Sequence, residues 1–304
     1  MVENKWNINY SNTHIIPCKF DYYEPKSLEE AIEILSKYGS DAKILAGGTD
    51  LLILIKMGVL KPRCIVNIKK ISDLCGIREQ GDQLIIGALT KLRTLEKSRV
   101  IKENFTALYE AVKSMASVQI RNMATIGGNL CNASPAADTA PPLMVFNASL
   151  KVVGPNGEKI IPITSFFRGP KKTILKHNEI LTEIIISCPS NRMGSAFIKI
   201  ARTAMDLAKA NVAVKLVIGE DNVIEDVAVA LGSVAPTPIR AISVEEYLRG
   251  KVFSEETALE ASKLVVKDIS PITDARSTAE YRRYISKVIT YETLIKAFKR
   301  AKRR

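Results

Sequence analysis

Two glycine pairs about eighty positions apart constrain this chain more than any other feature. The first stands in Ile44-Leu45-Ala46-Gly47-Gly48-Thr49-Asp50-Leu51-Leu52, the second in Ala124-Thr125-Ile126-Gly127-Gly128-Asn129-Leu130-Cys131-Asn132. Each follows an apolar or β-branched approach and leads into a small polar side chain. Glycine admits φ > 0 and leaves successive N–H groups bare. Two such groups in a row form a concave nest that suits phosphate oxygens. Two copies with matching flanks predict one diphosphate gripped from two sides.

At 304 residues the chain is long enough for two domains. Its 46% apolar and 25% charged residues are those of a soluble globular protein. No apolar stretch is long enough to span a bilayer, and Met1-Val2-Glu3-Asn4-Lys5-Trp6 lacks the apolar core of a signal peptide. A cytoplasmic protein with no membrane partner is the expectation. The five cysteines (Cys18, Cys64, Cys75, Cys131, Cys188) lie at least eleven positions apart, which leaves no paired thiols for zinc or an iron–sulfur cluster. His14 and His177 are the only histidines, and neither has a metal-ligand partner at helical spacing. The thiols read as packing residues, Cys131 beside the second loop included.

Of the net charge of +12, residues 282–304 carry +8, through nine basic side chains against Glu292 alone. A basic terminal helix can serve nucleic acid, a partner surface, or only its own C-terminal dipole. No reading aromatics or nucleic-acid module accompany it. A docking face for a partner subunit is therefore expected, and nucleic acid is not.

The first half alternates helical and strand patterns. Ser27-Leu28-Glu29-Glu30 is a capping box before Leu28, Ala31, Ile32 and Leu35 at helical spacing, and Gly39 ends that helix. Residues 42–46, 63–68 and 84–89 read as strands, the last paired across Gly81-Asp82 with 76–79. Residues 49–57 and 90–115 read as helical, and an irregular segment leads to the second loop. The small, proline-punctuated stretch from Ala133 to Met144 suits a turn into a short helix under a ligand. A hairpin over 150–153 and 160–163 turns at Pro155-Asn156-Gly157, and 180–187 is another strand. A second domain is expected from Pro189–Met193, with strands at 196–201, 211–218 and 223–231 and helices at 243–248, 255–267 and 278–301. Strands followed by helices make an α+β layer rather than a βαβ repeat.

Conventional catalytic motifs are missing: no G-x-S-x-G, H-E-x-x-H, P-loop lysine or G-x-G-x-x-G occurs. With two histidines, general-base catalysis has little to work with. The loops are read as holding a cofactor that brings its own reactivity.

The two loops closely resemble the FAD-contacting loops of the flavoprotein subunit of molybdenum hydroxylases, the xanthine dehydrogenase and carbon monoxide dehydrogenase family. Gln119-Ile120-Arg121-Asn122, the Asp138 turn, Arg202-Thr203-Ala204-Met205-Asp206, Gly232 to Arg240 and Tyr281-Arg282-Arg283-Tyr284 resemble the same subunit, so the likeness runs from about Phe20 to the last helix. It implies an α+β fold: a two-part FAD-binding domain of the p-cresol methylhydroxylase type over residues 1–188, then a smaller α+β domain of antiparallel sheet and helices over 189–304. It implies that Leu45, Ala46, Gly47, Gly48, Thr49, Asp50, Leu51 and Leu52, with Thr125, Ile126, Gly127, Gly128 and Asn129, cradle the FAD diphosphate. Thr49, Thr125, Asn129 and Asp138 would be polar handles on ribityl, phosphate or ribose, and Leu181 and Lys199 would approach the flavin ring. Related flavin oxidases attach FAD through a histidine near the first loop; Thr49 stands after the glycines here, so the FAD should be non-covalent. The scattered cysteines leave no room for the [4Fe–4S] loop of some relatives, and Leu207 stands in the segment where some carry a tyrosine beside the flavin.

The implied role is an electron relay with no catalytic residue, metal or iron–sulfur cluster of its own. A molybdenum-cofactor large subunit would hydroxylate the substrate, a [2Fe–2S] small subunit would pass electrons on, and FAD in this chain would deliver them to NAD. Ala204-Met205-Asp206 and Ala235-Pro236-Thr237-Pro238 lean toward xanthine dehydrogenase subunits. Two other readings stand beside this one: a free-standing flavin oxidase, and a non-catalytic nucleotide-binding scaffold.

Overall fold

The computed structural model describes residues 16–188 and 192–303. A parallel three-stranded sheet comes first. It is built from β1 (Asp21–Tyr23), β2 (Ala42–Leu45) and β3 (Cys64–Asn67) in the order β1-β3-β2. Helix α1 (Leu28–Tyr38) opens where the Ser27 hydroxyl accepts the Glu30 N–H, and closes at Gly39, whose φ is 58°. Its Ala31, Ile32 and Leu35 pack with Cys64 and Val66, while Ile55 of α2 (Leu51–Lys56) packs with Leu45 and Ile65. Both faces are covered, so β3 is buried at every position.

The second layer is a five-stranded antiparallel sheet, in the order β4 (Ile77–Gln80), β5 (Gln83–Gly87), β10 (Ile180–Ser187), β6 (Ser149–Gly154) and β7 (Gly157–Pro162). The β4–β5 hairpin leads into α3 (Leu92–Lys97), α4 (Arg99–Asn104) and α5 (Thr106–Lys113), so the expected helical stretch is broken at Ser98 and Phe105. The segment read as irregular is also helical. It forms α6 (Val118–Met123) and α7 (Ile126–Cys131), and the second glycine pair lies inside α7. After α8 (Ala140–Val145) come the β6–β7 hairpin, a small unforeseen ribbon of β8 (Phe167–Gly169) and β9 (Lys172–Thr173), and β10.

Residues 189–191, where the domain change was expected to begin, lie outside the described residues. Beyond them β11 (Met193–Ile200), β12 (Ala210–Ile218), β13 (Ile224–Gly232) and β14 (Ile239–Arg240) form an antiparallel sheet in chain order. Side chains alternate between its faces. Val212, Val214, Val229 and Leu231 pack on α9 (Ile242–Leu248), α10 (Glu255–Leu264) and α11 (Ala279–Ala301). Phe197, Ala213, Ala228 and Ala230 join the core of the preceding region. Alanines on that face let α8 approach the sheet closely, and burial on both faces explains the near-continuous apolar strands.

Candidate functional site

The two glycine pairs meet in space, but not as two copies of one device. In the first, the chain leaves β2 and turns at Gly48, whose φ of 78° suits glycine. Among the described residues, no backbone N–H from Ala46 to Asp50 has a hydrogen-bond partner. Uncommitted successive donors of this kind are what an anion nest requires. A Cβ on Gly47 would collide with the Met123 carbonyl oxygen, so this loop lies directly on the end of α6. Asp50, not Thr49, precedes the first turn of α2, and Thr49 makes no capping bond.

The expectation of a second nest is not met. Neither Gly127 nor Gly128 has a positive φ, and their N–H groups are spent internally. Gly127 N–H donates to Ala88 O at 2.8 Å, Gly128 N–H to Thr125 Oγ1 at 3.1 Å, and Asn129 N–H to Thr125 O at 3.0 Å. Ile126 N–H donates to Thr90 O at 3.0 Å. Glycine is needed here for proximity: a Cβ on Gly127 would lie 2.6 Å from Ala88 Cβ. On Gly128 it would lie 3.8 Å from Ala46 Cβ, which places this pair against the first loop. Asn132 Nδ2 donates to Asp50 Oδ1 at 3.0 Å and ties the two together.

From the first loop, α6 leads to a cleft of about 780 Å³. One wall is the turn into α6, with Lys113, Ser117 and Val118; the other is Lys199, Arg202 and Met205, from the end of β11 and the loop after it. Arg121, within the resembling Gln119–Asn122 stretch, builds the first wall. Its guanidinium donates to both oxygens of Glu96 (2.8 and 3.2 Å) and to the carbonyls of Met115 and Ala116 (2.7 and 3.0 Å). These bonds pin a turn in which Ala116 has φ 46°. Burial opposes ionisation of Glu96, but the bonds from Arg121 and Arg93 outweigh it and hold its carboxyl below the usual range.

Asp138 and Lys199 are brought together. Lys199 Nζ donates to Asp138 Oδ2 at 2.7 Å and to Ser114 O at 3.3 Å, and both side chains are almost fully buried. Asn211 Nδ2 donates to the other carboxylate oxygen at 2.8 Å. Burial pushes the Asp138 carboxyl above its usual range, against the pull of Lys199 and Asn211. Thr139, the next residue, donates its hydroxyl to Asn129 Oδ1 at 2.6 Å and so engages the amide oxygen. Leu181 is buried in β10 opposite Val152 and does not line the cleft. Asn211 was missed by the sequence reading, although a polar residue inside the apolar run of β12 was a visible signal.

The basic C-terminal segment is not one open docking face. Arg282 is buried and donates to Ser233 O at 2.6 Å and Asp274 Oδ1 at 2.7 Å. Arg300 and Lys296 both pair with Glu110 of α5 (2.6 and 2.8 Å), so these cations fasten α11 to the preceding region. Arg283, Lys299, Lys302 and Arg303 remain exposed. Among the described residues there is no cluster of three or more metal-ligating side chains, and no helix is long and apolar enough to cross a membrane.

Comparison with known proteins agrees with this geometry. Residues 18–189 match the FAD-binding domain in molybdopterin dehydrogenase, and residues 195–297 match the CO dehydrogenase flavoprotein C-terminal domain. The chain is 35% identical to the carbon monoxide dehydrogenase medium chain of Hydrogenophaga pseudoflava over 268 residues, covering 88% of this chain and 93% of that one. It is 34% identical to the xanthine dehydrogenase FAD-binding subunit of Escherichia coli O157:H7 over 279 residues, covering 91% and 95%. A solved carbon monoxide dehydrogenase from Hydrogenophaga pseudoflava, lacking the Mo-pyranopterin moiety of its cofactor, superposes with a TM-score of 0.91 at 34% identity, over 94% of this chain and 99% of that one. The chain belongs to the family of FAD-binding subunits of molybdenum hydroxylases and is a flavoprotein component of an oxidoreductase. The near-equal identities to a carbon monoxide and a xanthine enzyme give no preference between their substrates.

Proposed function

We propose that this chain holds FAD non-covalently and relays electrons from the [2Fe–2S] clusters of a small partner subunit to NAD, while a molybdenum-cofactor large subunit carries out the hydroxylation. Residues 1–188 would form the FAD domain and 189–304 the C-terminal domain. The observation that carries the reading is the run of uncommitted N–H groups from Ala46 to Asp50 beside the cation-lined cleft. Those groups suit the FAD diphosphate, with Asp50 kept in place by Asn132. Helix α6, about 9 Å long for six residues, separates nest from cleft, as a ribityl chain separates diphosphate from ring. Thr125 caps α7 beside the nest, and Asn129 flanks it as a polar handle. Bound FAD supplies the capacity to take up electrons singly and release them in pairs.

Lys199 would meet the ring. Its ammonium has three N–H donors, of which Asp138 and Ser114 take two, and it lines the cleft. Leu181 would act from behind α7, as packing under the site. A free-standing oxidase would need a base at the ring. Among the described residues, the side chains lining this cleft include lysine and arginine but no carboxylate or imidazole. Loading the purified chain with FAD tests the reading. A yellow protein is expected that releases flavin on acid treatment, passes electrons from NADH to a dye, and turns over an organic substrate only with both partner subunits added. A chain that stays colourless, or that oxidises a small organic substrate alone, overturns it.

A further inference from the structure

Lys199, Asn211 and Gly232 stand in one row across three strands: Lys199 is opposite Asn211 in the β11–β12 pair, and Asn211 opposite Gly232 in the β12–β13 pair. The row faces the turn before α8, from which Asp138 reaches up. Asn211 is completely buried in a strand that is otherwise largely apolar. Its Nδ2 donates to Asp138, but its Oδ1 has no partner among the described residues. A buried amide satisfied on one side is a poor choice for packing alone, where an apolar side chain of similar shape costs less. Gly232 points the same way. Its φ is not in the left-handed region, yet a Cβ there would lie 2.5 Å from Asn211 Oδ1. The glycine makes room for the amide rather than for the backbone.

We propose that Asn211, seated against Gly232, is a positioning residue that occupies one oxygen of Asp138 and so leaves the third N–H of Lys199 aimed into the cleft, where it raises the reduction potential of the bound flavin. This rests on the flavin ring occupying the cleft, as proposed above. The Asp138 carboxylate has two oxygens, one held by Lys199 and one by Asn211. Without the amide, the second oxygen is left buried and unpaired, and Lys199 is the cation at hand to satisfy it. The ammonium then bridges both oxygens and withdraws from the cleft. A cationic donor stabilises the electron-rich reduced ring more than the oxidised one, because opposite charge is worth most where water is excluded.

The test is the midpoint potential of FAD on the full chain, read by equilibration with a reference dye, in Asn211→Leu and in Gly232→Ala. Both variants should lower it by about 30 mV, which for a two-electron couple is a ten-fold loss of preference for reduced over oxidised flavin. The comparison variant is Arg300→Gln, which cuts a different tie across the same junction, the 2.6 Å pair with Glu110. It should lose thermal stability and keep the wild-type potential. Wild-type potentials in FAD-loaded Asn211→Leu and Gly232→Ala overturn the assignment. So does an equal fall in Arg300→Gln, which would mean that loosening of the junction moves the potential. If Asn211→Leu does not fold, Gly232→Ala decides alone, because it displaces the amide without removing it. A wild-type chain that takes up no FAD brings down the reading of the cleft as well, whereas a loaded chain with unmoved potentials brings down only the role of Asn211.

Discussion

The chain turns through Gly47-Gly48 and coils through Gly127-Gly128. At the first pair it takes a left-handed step at Gly48 and leaves five consecutive N–H groups, Ala46 to Asp50, without partners among the described residues. At the second it continues as helix α7 and commits its N–H groups to Ala88, Thr90 and Thr125. Similar flanking sequence therefore supports opposite uses of the same residue. One pair uses glycine for conformation and presents donors to a ligand; the other uses it for closeness and presses a helix onto Ala88, at the end of β5 in the five-stranded sheet. A Gly-Gly signal states that side chains are excluded, and only the surroundings state why.

Substitution separates the two uses. Gly48→Val should have the largest effect on FAD. Strain of about 1–3 kcal/mol at a left-handed position adds to contact with Leu45 and Leu52, whose methyl carbons would lie 3.0 and 3.1 Å from the new Cβ. The loop must then leave its nest geometry, and the FAD dissociation constant should rise about a hundred-fold. Flavin fluorescence titration measures this, and an unchanged affinity would show that the loop is only a turn.

Gly127→Val should do the reverse. Its Cβ would lie 2.6 Å from Ala88 Cβ and 2.7 Å from Ala88 O, both in the core. Overpacking of this kind costs about 1–3 kcal/mol. The loss should appear in urea unfolding of the FAD-free chain, while the folded fraction keeps its FAD affinity within a small factor. If FAD binding fails with no loss of stability, the second pair touches the diphosphate after all and the comparison breaks.

The sequence made the first loop legible and the second misleading for a local reason. A positive φ at Gly48 and the turn after β2 follow from residues 44–52 alone. The helical state of the second pair depends on carbonyl oxygens at Ala88 and Thr90, more than thirty positions earlier, which override glycine's poor helix propensity. The same division holds elsewhere. The Ser27 cap, the β6–β7 hairpin and the long α11 carry their signals within a few residues. The meeting of Asp138 with Lys199 joins positions 61 apart in the sequence, and nothing near either residue announces it. The basic run from Arg282 onward reads as a surface because charge is usually solvated. Ser233 and Asp274 turn Arg282 inward, and Glu110 claims Arg300 and Lys296. Asn211 was the one legible clue left unread, since an amide inside an apolar strand needs a partner.

The finest test of the comparison lies in the two threonines. Thr125 Oγ1 accepts the Gly128 N–H and so caps α7. Its replacement by alanine should cost the FAD-free chain about 1 kcal/mol, the usual value of such a cap, and release one N–H toward the ligand side. Thr49 makes no hydrogen bond with another described residue and is half-buried at the mouth of the nest. Thr49→Ala should leave stability within about 0.5 kcal/mol, as for a position free of structural ties. Its effect should be confined to FAD affinity, as a several-fold loss if the hydroxyl serves as a handle on the cofactor. Thermal melts with and without FAD measure both terms in one experiment. Thr125→Ala should lower both melting curves together, whereas Thr49→Ala should lower only the curve with FAD. A Thr49→Ala variant destabilised in the absence of FAD would mean that the first loop, too, is held by its own side chains, and the contrast between a presenting loop and a packing loop would then reduce to the backbone of Gly48.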